Sequence, residues 1–207
     1  MQHHPFIIVS LWLLVAGAAG AKVIIVSGDG SGDFRQIQAA IDAATPEDIV
    51  QVTSGTYREA ITIQKSIYLK GAGANSTRIE YDGPSVVVQV HSVDAGEIDG
   101  FTIAYTGSRQ RSTVWLSDSN ISLTNSVIGG GFFSGIAITN GSNPIVRRNR
   151  IEANRRTGIQ IAEARGTISD NVISGNDQHG IRIVSGISPV IEKNQINKNL
   201  KDGVHIT

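Results

Sequence analysis

The chain of 207 residues contains no cysteine, so a disulfide scaffold is not open to it. Eighteen basic side chains balance eighteen acidic ones, which excludes a bulk polyelectrolyte. Aromatic residues make up only 5% of the sequence, and they are sparse around its arginines, which disfavours a nucleic-acid surface. Leucine is scarce as well: there are 7, against 29 isoleucines, and Leu11, Leu13 and Leu14 crowd into the first fourteen residues. Helical domains favour Leu and strands favour β-branched residues, so the chain is predicted to be mostly strand, and a leucine-rich horseshoe is excluded.

The start of the chain reads as an address. Phe6 to Leu14 is an apolar run, small residues follow from Ala16 to Ala21, and no charged side chain occurs before Lys22. This predicts a secretory signal peptide over residues 1–21, cleaved before Lys22, with a retained membrane anchor as the alternative. The mature chain is then expected to be secreted, periplasmic or on the cell surface, with no membrane contact after cleavage.

The second half repeats. Gly135, Gly158, Gly180 and Gly203 each open a Gly-Ile/Val-x-Ile segment at spacings of 23, 22 and 23 residues. Asn149, Asn171 and Asn194 keep a similar spacing, and so do Asn154, Asn176 and Asn199. A unit this short cannot bury its apolar side alone, but stacked copies can. The expected fold is all-β: a right-handed parallel β-helix in which Ile columns face inward and Asn columns pass amide hydrogen bonds from coil to coil. Upstream, Ile121–Val127 aligns with Ile145–Ile151, which equates Asn125 with Asn149. A single helix interrupts the strands around residues 34–44, with Asp33 as its N-cap and Phe34, Ile37, Ala40, Ile41 and Ala44 on one face. It is expected to cap the N-terminal end of the solenoid. The last strand, Gly203–Thr207, stops inside a repeat, which predicts one domain over 22–207 that continues beyond it.

Val23–Phe34, Ile37–Ala44, Gly55-Thr56-Tyr57-Arg58-Glu59 and Ile67–Gly71 together resemble the N-terminal coils of the pectin-lyase-like superfamily, and pectin methylesterases most of all. The resemblance implies the right-handed β-helix and an acidic polysaccharide of the pectin or polyuronate type as partner. It does not carry over the catalytic groups. Ser112–Ser117 stands where methylesterases have Gln-Ala-Val-Ala-Leu-Arg, with Ser112 in place of the transition-state Gln, and no Asp occurs between Asp118 and Asp170. Without a carboxylate pair one group cannot protonate the leaving alcohol while another attacks.

Other groups are candidates for chemistry. Asp177-Gln178-His179-Gly180 resembles the Gly-His-Gly segment of polygalacturonases, although their acidic partner motifs are missing. The repeat sets His179 one coil below Asp202 and Arg182 one coil below His205, so Asp177, His179, Arg182 and Asp202 are the catalytic candidates. No cofactor or metal ligand set is expected: calcium would need clustered carboxylates, and Asp170, Asp177, Glu192 and Asp202 are dispersed.

Charge is uneven despite its zero sum. Residues 22–133 carry 8 basic and 12 acidic side chains, residues 134–207 carry 10 and 6. Arg147, Arg148, Arg150, Arg155 and Arg156 fall within one coil and are the polyanion-binding candidates, since guanidinium groups match carboxylates bidentately. The expectation is an exported protein that binds or processes acidic extracellular polysaccharide. If catalytic, it would be a lyase, hydrolase, epimerase or esterase. The rival is a non-catalytic surface or periplasmic β-helix, a spacer or an accessory module resembling those of copper-enzyme maturation proteins.

Overall fold

The structure, a computed structural model, describes residues 20–185 and 188–207. The leader expected at residues 1–21 lies outside them except for Gly20 and Ala21. Among the described residues, twenty-two short strands wind into a parallel solenoid with three faces. Sheet 1 stacks Val23–Val26, Ile49–Val52, Tyr68–Gly71, Glu97–Asp99, Ser122–Thr124, Ile145–Arg147, Thr167–Ser169 and Val190–Glu192. Sheet 2 stacks Gly55–Arg58, Thr77–Tyr81, Thr102–Tyr105, Val127–Gly129, Arg150–Glu152, Val172–Ser174 and Gln195–Asn197. Sheet 3 stacks Ile61–Ile63, Val88–Val93, Val114–Ser119, Ser134–Thr139, Thr157–Ala162, Ile181–Val184 and Val204–Ile206. The opening strand of sheet 1 thus precedes seven complete coils.

Alternation along each strand decides what is inside. On sheet 3, Ile136 and Ile138 pair in register with Ile159 and Ile161 and then with Ile181 and Ile183, all of them buried. Strand residues alternate between the two faces, and parallel stacking sets like over like, so a period of 22 to 23 residues produces continuous aliphatic columns.

The corners explain the asparagines. At the turn from sheet 1 to sheet 2, Gly100, Asn125, Arg148, Asp170 and Lys193 all have positive φ, between 48° and 79°. The residue after each is buried, or half-buried at Asn194, and in the last three coils it is an asparagine that carries the ladder: Asn149 Nδ2 donates to Asn171 Oδ1 (3.2 Å) and Asn171 Nδ2 to Asn194 Oδ1 (3.0 Å). The second ladder follows the turn after sheet 2, with Asn154 Nδ2 and Asn176 Nδ2 each donating over 2.8 Å to the next Asn. Each Oδ1 also accepts a backbone N–H from the preceding coil, as Asn171 does from Asn149 N at 2.9 Å. A buried turn amide that would otherwise lack a partner is thereby satisfied.

Two expectations from the sequence need correction. Ser122, not Ile121, pairs with Ile145, so the upstream alignment is shifted by one residue. Ser126 occupies the ladder position, donating its N–H to Asn149 Oδ1 at 2.9 Å, while Asn125 sits at the exposed left-handed corner beside Asp99. Asn suits both places, buried acceptor and left-handed turn, which is why identity alone misplaced it. The helix is also shorter than 34–44: α1 spans Ile37–Ala43, and Phe34 instead bridges to Val26. Asp33 is not its N-cap. Its carboxylate accepts the Ile25 N–H (2.8 Å), and the first turn is capped by Glu59, which accepts Ile37 N and Gln38 N at 2.9 Å each. Helix α1 buries Ile37, Ala40 and Ile41 against Val23–Val26, Ile49–Val52 and Ile61–Ile63.

Candidate functional site

The outward positions of sheet 3 form one unbroken row. Register aligns Thr62 with Gln89, Gln89 with Trp115, then Ala137, Gln160, Arg182 and His205. At ~4.8 Å per coil the row runs roughly 29 Å. Gln89, Trp115, Ala137 and Gln160 floor a cleft of about 440 Å³ whose wall includes Pro84, Gln110, Arg111 and Phe133. Trp115 is held in place by its Nε1–H, which donates to Thr139 Oγ1 at 2.9 Å. The wall is tied down too: Arg111 Nε donates to Pro84 O at 2.7 Å. A fixed indole face beside amide and guanidinium donors can stack on a flat apolar ring face and bond hydroxyl or carboxylate oxygens around it.

The five clustered arginines separate. Arg155 lies over the Phe132 ring at 5.2 Å and Arg156 over Phe133 at 4.9 Å, so Arg156 stands against the cleft wall. Arg147 pairs with Asp170 at 2.9 Å and Arg150 with Glu152 at 3.0 Å, both away from sheet 3. Arg148 is exposed at the corner between sheets 1 and 2.

The catalytic candidates partly converge, at the far end of the same row. Ser134 and Thr157 are buried at the entry to sheet 3, and the repeat places His179 and Asp202 at the same point of the next two coils. His179 is 8% exposed, whereas the sequence suggested an open outer face. Its ring stacks on His205 with centroids 4.2 Å apart and 20° between planes. Asp202 Oδ2 lies 2.8 Å from His205 Nδ1 in a hydrogen bond and 3.2 Å from His179 Nδ1. The second contact is close but misaligned, and His179 Nδ1 remains a buried polar atom without a hydrogen-bond partner. Burial, and then the neighbouring His205, pull the His179 pKa below the ordinary imidazole value, against the opposing pull of Asp202. Arg182 is next to His205 in register but makes no ion pair among the described residues. Asp177 is exposed, and its backbone N–H bonds Asn154 O at 2.9 Å. Ser112, at the methylesterase Gln position, is buried, with its hydroxyl 2.8 Å from Ser134 Oγ.

Sequence reasoning passed over Gln89, Trp115 and Gln160. The signal was available: Arg182 and His205 were already aligned, and two further steps back along the repeat reach Gln160 and Ala137. Trp115 follows one coil earlier, the single tryptophan beyond Trp12.

A family model described as right handed beta helix region matches residues 67–207. Pectinesterase 5 of Arabidopsis thaliana is 29% identical over 103 residues, covering 44% of this chain and 17% of that protein. Pectinesterase 4 of the same plant is 39% identical over 74 residues, covering 30% of this chain and 12% of its own length. The chain thus matches less than a fifth of either relative. Among solved structures, the A-module of mannuronan C-5 epimerase AlgE4 of Azotobacter vinelandii superposes with a TM-score of 0.61 at 19% identity, over 81% of this chain and 54% of that one. That likeness concerns the fold. With three parallel sheets in the register its repeats require and a family match over more than half its length, the chain belongs to the right-handed β-helix family.

Proposed function

We propose that this is an exported β-helix protein that binds acidic extracellular polysaccharide, of the pectin or polyuronate type, along the outer face of sheet 3. The observation that carries the reading is the row from Gln89 through Trp115 and Gln160 to Arg182, an aromatic platform with amide and guanidinium donors on one straight face. A straight row suits a linear polymer, and arginine suits its carboxylates. The pectinesterases it matches, and a structural neighbour named for mannuronan, support the ligand class. Export rests on the leader at residues 1–21, and helix α1 covers the N-terminal end of the first coil.

Binding is favoured over hydrolysis or de-esterification by the composition of the cleft. None of its lining residues is Asp or Glu, and Ser112 is buried against Ser134. A non-catalytic carbohydrate-binding module is therefore the form of the proposal. Affinity electrophoresis through gels containing polygalacturonate, alginate or pectin tests it, with neutral dextran as the blank. Retardation by at least one acidic polymer is expected, and Trp115→Ala should weaken it about tenfold, the effect of losing ~1.4 kcal/mol. Migration indifferent to all three polymers, or a Trp115→Ala protein retarded like the parent, sinks the reading.

A further inference from the structure

We propose that His179, Asp202 and His205 form a binding site for a first-row divalent transition-metal cation, of which Zn²⁺ is the plainest case. The three side chains come from the turn before sheet 3 on two successive coils and from the strand that follows. Their ligand atoms all lie within 4.8 Å of one another. Both imidazole Nδ1 atoms lie close to the same carboxylate oxygen, Asp202 Oδ2, His179 Nδ1 at 3.2 Å and His205 Nδ1 at 2.8 Å. Bonds of ~2.05 Å to nitrogen and oxygen in a tetrahedral site put neighbouring ligand atoms about 3.3 Å apart, so both spacings are within a small side-chain adjustment of a coordination edge.

The second observation concerns His179 itself. It is 8% exposed, and its Nδ1 has no hydrogen-bond partner although it points into the cluster. A buried imidazole nitrogen left unpaired is costly, and a cation between the rings and the carboxylate removes that cost. Two nitrogens and one carboxylate oxygen select a borderline cation over Ca²⁺ or Mg²⁺, which take oxygen shells. Access is open, because the Asp202 side chain is 58% exposed and that of His205 36%. Three protein ligands leave a coordination position free for water or another oxygen donor. The site stands apart from the carbohydrate reading, since metal binding needs no polymer.

The test uses the full chain with His3 and His4 replaced by alanine, so that these two histidines contribute nothing. Titration with Zn²⁺ by calorimetry and with Co²⁺ by visible absorption should give one ion per chain, the cobalt form showing the bands of a four-coordinate N/O site. Asp202→Asn and His205→Gln lie at accessible positions and should each weaken binding at least tenfold while circular dichroism stays that of the parent. His91→Gln, elsewhere on sheet 3, should leave binding unchanged. Absence of saturable binding overturns the proposal. So does binding that survives both Asp202→Asn and His205→Gln, or that is lost with His91→Gln.

Discussion

The Glu59 carboxylate caps the helix that starts at Ile37, although twenty-two residues of chain separate them: its two oxygens accept the N–H groups of Ile37 and Gln38 at 2.9 Å. The residue at the helix N-cap, Gln36, makes no side-chain cap of its own. Replacing Glu59 by Ala should therefore cost about 1–2 kcal/mol, the range of a lost N-cap, read as a shift in urea midpoint. Glu59→Gln, which keeps one acceptor oxygen, should cost less. Equal stability of Glu59→Ala and the parent would refute the cap.

The Asn ladders should be costly to interrupt. Asn176 is fully buried and accepts from both Asn154 N (3.2 Å) and Asn154 Nδ2 (2.8 Å). Asn176→Ala orphans Asn154 N and leaves Asn154 Nδ2 only its bond to Glu152 O (3.2 Å), at roughly 1–3 kcal/mol for the orphaned group. Asn199→Ala, at the half-buried end of the same ladder, should cost visibly less in the same denaturation experiment.

Two glycines of one column make a steric contrast. A Cβ on Gly158 would meet Gly180 O at 2.6 Å, whereas on Gly203 the nearest atom would be 3.5 Å away. Gly158→Ala is expected to lose about 1–3 kcal/mol through forced backbone movement, and Gly203→Ala to be close to neutral. Thermal midpoints of the two proteins decide it; comparable losses would count against the stacking.

Acid should act through Asp48. It is buried and accepts Thr45 N, Lys22 N and Thr45 Oγ1, each at 2.8 Å, and these bonds hold its pKa below the ordinary carboxylate value, Thr45 N most of all. A folded pKa below the unfolded one gives stability that is complete above the unfolded value, near ~4, and disappears as pH falls through the folded one. Asp48→Asn should lower stability at pH 7 and flatten its decline below about pH 4. A variant with the parent's pH profile would show that Asp48 does not contribute.

Under the proposed function the arginines should divide by position. Alanine at Arg155, Arg156 and Arg182 should weaken polyuronate retention in a salt-sensitive way, while alanine at Arg147, Arg148 and Arg150 should change it little, two of these being paired with Asp170 and Glu152. Electrophoresis at two ionic strengths separates the outcomes, and the reverse order would move the binding face away from sheet 3.

The solenoid was legible in the sequence because its determinants recur at a fixed interval: Gly158 over Gly180, Ile159 over Ile181, Asn149 over Asn171. Legibility failed where one residue type serves two purposes. Asn125 reads as a ladder residue because Asn is equally at home at a left-handed corner, and Asp33 reads as a cap because a long-range carboxylate, Glu59, leaves no local trace. His179 and Asp202 were placed on neighbouring coils correctly. What spacing could not convey was that the His179 ring would be buried, since inside and outside at a turn depend on backbone direction rather than on strand alternation.

The two Asn ladders run through the last three coils only; above them Ser126 and Gly131 end the ladders as N–H donors, and the Ser126 hydroxyl takes over with a bond from Phe101 N at 3.1 Å. A coil touches only its neighbours, so cooperativity passes along the axis link by link. The fourth coil, Ser122 to Thr139, is thus the seam between a part whose corners are tied by side-chain amide chains and a part whose coils are joined by backbone ladders and scattered bonds such as Thr102 Oγ1 to Ala74 O. Under partial denaturation the protein should part there, as two segments with separate exchange rates, rather than fray coil by coil from one end.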